Sequence, residues 1–412
     1  MTAPRIPAMD VLRGCAVMGI LWMNITAFAL PQSAYFNPAA SGPLTTGDIA
    51  FWLSSILLFD GKMRALFAML FGASMLLLID REEMAGRDGH RAQMIRAGWL
   101  FVIGMAHYLL LWWGDILMIY AVLSLFALAF VRQEPMALIK SAFLLFLFHF
   151  LLATGFISTV YAWSQAAAAP GASAAMREGF TTFMTSMTDP ASPAIRTEIA
   201  TYRSGFGTIL QHKLGHFPGE WLWGFLFTGF DTLGFMLLGM AMLKGGFLTG
   251  KWSADQYWRT ARHCFLIGLL PMIALATWVV ASDFAPLPAF GTALAWSFPF
   301  RVPLAVGWAA LILWLIVRFP AHRIAARIGA VGRLTLSNYL ATTLVMTAIF
   351  YGWGLGLFAH VRPAFLPLFV LPTWGAMLLW SPIWTNRFAM GPAEWVWRTL
   401  CGGKPQKIRK SS

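Results

Sequence analysis

Ionisable and amide side chains set inside long apolar stretches are the residues of this sequence that could do chemistry. Hydrocarbon penalises each of them unless it is paired, hydrated or used. Asp10, Arg13 and Asn24 fall on one narrow stripe of a helix at 100° per residue, with Arg13 and Asn24 about 16 Å apart along its axis. That stripe must face protein or water: Asp10 and Arg13 are either a structural pair at the membrane boundary or contacts for a ligand. In Asp60-Gly61-Lys62-Met63-Arg64 an acid precedes a base by four residues. A continuous helix pairs Asp60 with Arg64 and leaves Lys62 to find its own anion or to snorkel to the interface. His107 is followed by Trp112-Trp113-Gly114-Asp115. An embedded histidine changes charge near neutral pH, so it suits a general base or proton carrier, and Asp115 can orient the imidazole if the chain turns tightly. The alternative is a histidine satisfied by a backbone carbonyl.

Further polar positions lend themselves to packing. Thr335, Asn338 and Thr342 form a stripe that lines a cavity or bonds a helix neighbour, with Asn338 counted among the substrate contacts. Asp231 is a costly acid with no partner evident in the sequence. His149 lies among phenylalanines and reads as structural. His212 and His216 are spaced i, i+4, which a metal could use, but no third ligand is evident and no metal is expected. Cys15, Cys264 and Cys401 are too scattered for a disulfide or zinc site.

The elements that must hold these residues follow from composition. Of 412 residues 58% are hydrophobic and 11% charged, whereas a soluble domain carries about 25% charged residues. A soluble enzyme is excluded, and the expectation is an all-α polytopic membrane protein. Ten apolar runs, at about 11–30, 49–79, 97–112, 116–131, 138–161, 222–243, 264–281, 302–317, 335–351 and 365–384, are long enough to cross roughly 30 Å of hydrocarbon and are the expected spans. The second is either one long helix or a short helix joined to a spanning one, and the third and fourth form a tight hairpin.

A net charge of +13 would suggest nucleic acid in a soluble protein; here topology accounts for it. Arg5 and Arg13, Arg81, Arg87, Arg91 and Arg96, Lys244 to Arg262, Arg318 to Arg333, and the tail from Arg387 to Lys410 all fall on one side of a ten-span arrangement. By the positive-inside rule that side is cytoplasmic and holds both termini. The expected divisions are a five-helix half over 1–162, an external loop or cap over 163–221, a second five-helix half over 222–390, and an interfacial segment with a basic tail over 391–412. No cleavable signal peptide is evident.

Several motifs carry a resemblance. Arg5-x4-Asp10-x2-Arg13-Gly14, Asp60-Gly61-Lys62-Met63-Arg64-Ala65-Leu66-Phe67, His107 with Trp112-Trp113-Gly114-Asp115, Tyr351-Gly352-Trp353-Gly354 and Gly391-Pro392-x-Glu394-Trp395 resemble the YeiB-like bacterial inner-membrane proteins, whose C-terminal half is a domain of unknown function. Asp10, Arg13 and Gly14 also resemble the Asp-x-x-Arg-Gly start of two transmembrane acyltransferase groups, the heparan-alpha-glucosaminide N-acetyltransferase type and the bacterial sugar O-acyltransferases. The O-acyltransferases place a histidine where this chain has Asn24.

This resemblance implies acyl transfer from a cytoplasmic donor such as acyl-CoA to a small-molecule, sugar or lipid acceptor at the outer side. Arg13 would contact the donor, Asn24 the acyl carbonyl, and His107 with Asp115 would supply the base. Asp10, Asp60, Lys62, Arg64, Trp113 and Asn338 complete the candidate set. A proton-coupled transporter or a lipid-binding component is the alternative from the same residues.

Overall fold

Hydrocarbon offers the backbone no hydrogen-bond partner, so a chain this apolar must satisfy its N–H and C=O groups within each crossing segment. The computed structural model describes residues 6–320 and 322–409, and it answers this demand with helices. No β-strand occurs among those residues beyond an isolated bridge between Phe388 and Arg409. Arg5 and Lys410, counted above on the basic side, lie outside the described residues.

The α-helices run in the order α1 (Pro7–Ala29), α2 (Gln32–Phe36), α3 (Thr46–Ser54), α4 (Lys62–Met84), α5 (Gly89–Leu110), α6 (Leu117–Ala127), α7 (Pro135–Ala168), α8 (Ala174–Thr188) and α9 (Pro193–Tyr202). They continue with α10 (Phe206–His216), α11 (Gly219–Lys244), α12 (Ala254–Ala281), α13 (Pro286–Gly291), α14 (Phe298–Arg318), α15 (Arg323–Arg333), α16 (Thr335–Phe350), α17 (Pro367–Arg387) and α18 (Pro392–Gly402).

Among the described residues seven segments are long and apolar enough to cross a membrane: Pro7–Ala29, Thr46–Met84, Pro135–Ala168, Gly219–Lys244, Ala254–Ala281, Phe298–Arg318 and Pro363–Arg387. On α7, α12 and α17 the outward residues are apolar, among them Phe143, Leu151, Ile267, Leu270, Leu368 and Ile383, all exposed. An apolar surface of this extent belongs against lipid, and the chain is a helical multi-pass membrane protein. Every apolar run of the sequence is helical, but three fall outside the seven. α6 and α16 have 11 and 16 residues, and α5 opens with the polar turn Gly89-His90-Arg91.

Small residues set the crossings. A Cβ on Gly72 would lie 2.2 Å from the Met236 carbonyl oxygen and one on Gly239 1.9 Å from that of Met69, so α4 and α11 meet backbone to backbone. Gly14 and Gly332 do the same for α1 and α15, against Ile328 and Asp10. α1 therefore sits in the middle of the bundle, with Leu12, Ala16, Ile20 and Ile25 buried.

The second apolar run resolves as a short helix joined to a spanning one. α3 continues into a π-helical turn, Ser55–Phe59, and the chain then breaks at Asp60-Gly61 before α4 starts. Of the 163–221 segment, the first residues extend α7 and the last begin α11; between them lie the three short helices α8, α9 and α10, of which α9 and α10 dock on the bundle. Ile195, Tyr202 and Ile209 are buried in one cluster with Phe28, Trp112, Tyr351 and Phe358, at the C-terminal ends of α1, α5 and α16. The segment 391–400 forms α18. Trp397 donates its indole N–H to the Arg96 carbonyl at 3.1 Å, and Glu394 caps the start of α16 by accepting from Leu336 N at 2.7 Å and Ser337 N at 3.2 Å.

Candidate functional site

The α5–α6 hairpin does what the spacing of His107 and Asp115 requires. The Trp112 to Ile116 turn brings Asp115 Oδ1 to 2.8 Å from His107 Nδ1, while Asp115 Oδ2 accepts the Met118 N–H at 2.8 Å and so starts α6. His107 Nε2 lies 3.0 Å from Thr343 Oγ1 on α16. Aspartate, histidine and hydroxyl thus stand in series, all three buried. The imidazole has both nitrogens engaged, and its ring packs on Tyr339 at 5.0 Å between centroids.

Tyr339 is the wall between this triplet and a cavity of about 880 Å³. The rim carries Arg13, Arg81, Arg87, Arg96, Arg333 and Arg398 against two carboxylates, Glu82 and Glu394. Glu82 already accepts from Arg81 at 2.9 Å and Arg87 at 2.6 Å, and Glu394 is committed to the cap of α16. Phe67, Phe71, Leu100, Ile116, Leu117, Tyr120 and Leu336 line the deeper part. The buried Tyr339 hydroxyl, on this wall, has no acceptor for its proton among the described residues. A cluster of arginines beside apolar side chains is complementary to an amphipathic anion.

Arg13 reaches this cavity while holding Asp10 at 3.0 Å and the Ser74 hydroxyl at 2.6 Å, so the expected Asp10 to Arg13 pair forms and is extended to α4. Asn24, on the same helix face by sequence, is buried and contributes to neither the cavity wall nor the His107 group. Trp113 packs against Trp112 at 5.8 Å within the aromatic cluster under the docked loop, away from both. Asn338 is spent on packing: its amide nitrogen donates to the Val331 carbonyl at 3.1 Å and to Ser381 Oγ at 3.3 Å, and its oxygen accepts from Trp380 Nε1 at 3.0 Å.

The expected pairing of Asp60 with Arg64 does not form. Gly61 has φ of +72°, which ends the helix between the two residues and removes the i, i+4 relation. A Cβ there would also lie 2.7 Å from Arg301 Cδ. Asp60 instead binds Arg301 at 2.9 Å and accepts from the Tyr35 hydroxyl at 2.8 Å. Arg64 turns the other way and grips Asp231 through both carboxylate oxygens, at 2.5 and 3.2 Å, with Thr232 Oγ1 at 2.7 Å. Asp231, without a partner in the sequence, thereby has one. Lys62 neither meets an anion directly nor snorkels; it is buried and donates to the Ile56 carbonyl within the π-helical turn, where a wider helix leaves carbonyls available.

Sequence reasoning gave no role to Tyr339, Thr343 or Glu394, and of the clustered arginines it gave one only to Arg13. The arginines served as topology markers, although charges that share one membrane face can also share one cavity. Tyr339 stands next to Asn338, and only packing shows which of the two faces the space.

A family model described as a protein of unknown function (DUF418) matches residues 242–404. The chain is 34% identical over 409 residues to the uncharacterized protein YeiB of Escherichia coli (strain K12), covering 96% of each chain. It is 27% identical over 425 residues to the uncharacterized protein YxaH of Bacillus subtilis (strain 168), covering 100% of this chain and 98% of that one.

Proposed function

The chain belongs to the YeiB-like family, and from that premise we propose that it is a transmembrane acyltransferase of the bacterial inner membrane. In this reading it has ten spans and cytoplasmic termini, and it moves an acyl group from a cytoplasmic donor of the acyl-CoA type to an acceptor at the outer side. The observation that carries the proposal is the cavity lined by six arginines together with apolar side chains. The three helices outside the seven long apolar ones, α5, α6 and α16, all contribute to its wall. Protein and a hydrated space surround them there, so they need not present a full apolar length to lipid.

Donor phosphates would sit among Arg81, Arg96 and Arg398, with the acyl chain against Leu100, Leu117 and Leu336. Tyr339, whose hydroxyl is buried within the wall, would turn toward the cavity to donate to the thioester oxygen as negative charge develops on it, the part the sequence reading gave to Asn24. Attack by an acceptor hydroxyl forms the new ester bond and expels the thiolate. The acceptor's proton passes to His107 Nε2 once Thr343 Oγ1 yields its place, and Asp115 stabilises the imidazolium.

The test uses the full chain in nanodiscs with radiolabelled acetyl-CoA and palmitoyl-CoA. His107→Gln should bind donor within about twofold of wild type yet lose thiol release by at least about 100-fold. Arg398→Gln should weaken donor binding. Intact transfer by His107→Gln overturns the assignment of the base, and failure of either donor to bind overturns the cavity's role.

A further inference from the structure

The docked loop carries a second cluster that the cavity does not use. His212 and His216 lie one turn apart at the end of α10, and Glu220 opens α11 beyond the Phe217-Pro218 connection. Spacing alone argues against a shared ion, because eight residues of unbroken helix separate His212 from Glu220 by about 12 Å along the axis. The break between α10 and α11 removes that separation. One ligand atom from each of His212, His216 and Glu220 lies within 4.8 Å of the others. Three ligands bound tetrahedrally to one zinc ion stand about 3.3 Å apart, so rotamer adjustments of the order of an ångström close the site.

The outer contacts already fix the ligands. His216 Nδ1 is 2.8 Å from the His212 carbonyl oxygen. A carbonyl only accepts, so Nδ1 carries the proton and Nε2 presents its lone pair outward. Glu220 Oε2 accepts from the Tyr108 hydroxyl at 3.0 Å, which leaves Oε1 open. The imidazoles of His212 and His216 adjoin at 4.1 Å between centroids, and a Cβ built at Gly215 or Gly219 would meet nothing within 4 Å, so space around the turn is open.

We propose that His212, His216 and Glu220 form a site for a divalent transition metal of the zinc class, with three protein ligands and an open position for water or an oxygen of a bound molecule. The ion would fasten α10 to α11 and, through Tyr108, to α5 one residue from His107. The inference is independent of acyl transfer.

The full chain, purified without an oligohistidine tag and stripped with EDTA, is dialysed against zinc chloride, and bound metal is counted by mass spectrometry. Wild type should take up one zinc per chain, and hydrogen exchange over 206–222 should slow when it does. His212→Ala/His216→Ala should lose the zinc and the slowing while melting with the wild type in EDTA. Tyr108→Phe, which removes only the outer-shell bond to Glu220, should raise the zinc Kd about 10- to 100-fold. Should the double variant misfold in EDTA, Glu220→Gln, which keeps an acceptor for Tyr108, replaces it with the same expected loss. Equal zinc uptake by wild type and by the properly folded variant overturns the site.

Discussion

The bundle interior and the cavity at its basic end handle charge in opposite ways. Inside, three cations are matched to groups on other segments: Arg64 to Asp231, Lys62 to the π-helical turn, and Arg301 to Asp60. At the basic end six arginines line the cavity with two carboxylates among the described residues, both already engaged, while Arg13 holds Asp10 and Arg333 donates to Thr385. Matched charges in a low-dielectric interior fix how helices pair, because no other pairing satisfies them. An excess of one sign around a cavity fixes little in the fold and leaves attraction for an anion. The same residue type therefore serves assembly in one region and recognition in the other.

The comparison breaks most visibly at Asp231. Asp231→Asn leaves the Arg64 guanidinium buried without its carboxylate, which costs about 3–5 kcal/mol. The expected outcome is loss of monodisperse protein in detergent, or a large fall in melting temperature, and a melting curve like wild type's would place Arg64 with the cavity arginines instead. Asp60→Asn should cost less, about 1–3 kcal/mol, because the Asp60 side chain keeps 21% exposure and Arg301 retains the Ala293 carbonyl at 2.7 Å. A double-mutant cycle should then find Asp60 coupled more strongly to Arg301, its direct partner, than to Arg64; the reverse order would restore the helical i, i+4 pair.

Why the sequence disclosed some of this and not the rest can be traced to particular residues. The Asp10 to Arg13 pair and the His107 to Asp115 contact are local, made within one helix or one hairpin, so spacing suffices. Asp60 and Arg64 are equally close in sequence, yet Gly61 sits in the left-handed region against Arg301, from 240 residues away, and only tertiary packing reveals that break. The helical, membrane-spanning character was legible because composition determines it. The cavity was not, since an empty volume arises from where α4, α5, α16 and α18 diverge. Asn338 shows the converse: its polarity in an apolar run marked it for function, and α15 and α17 consume every hydrogen bond it offers.

On the recognition side the effect should appear in binding and hardly at all in stability. Arg398 is exposed, so Arg398→Gln should change stability by less than about 0.5 kcal/mol. Loss of one charge-assisted contact to a phosphate should nevertheless weaken acetyl-CoA binding about tenfold, near 1.4 kcal/mol. Raising the salt concentration should diminish wild-type affinity more than that of the variant, because exposed charges are screened. Titration calorimetry in nanodiscs at two salt concentrations reads both effects. A destabilised Arg398→Gln with unchanged affinity would move this arginine from recognition to assembly.

The smallest effect concerns the docked loop, where Glu198 meets the start of α2 and has no ion-pair partner among the described residues. Its carboxylate accepts the Gln32 N–H at 2.8 Å, but burial, reinforced by the charge of Glu220, pushes its pKa up from 4.5 to about 7. Between those values the docked loop holds a proton on Glu198 that the undocked loop has released. Its contribution is therefore fully present below pH 4.5 and is lost as the pH rises through about 7, with the opening equilibrium changing by up to about tenfold per pH unit. Native-state hydrogen exchange over 193–202 between pH 5 and 8, corrected for the intrinsic rate, should show protection falling with pH. Glu198→Gln should flatten that slope, since a neutral amide in the same place titrates nowhere in the range. An equally steep slope in the variant would assign the pH dependence to another group and leave Glu198 as a solvated surface carboxylate.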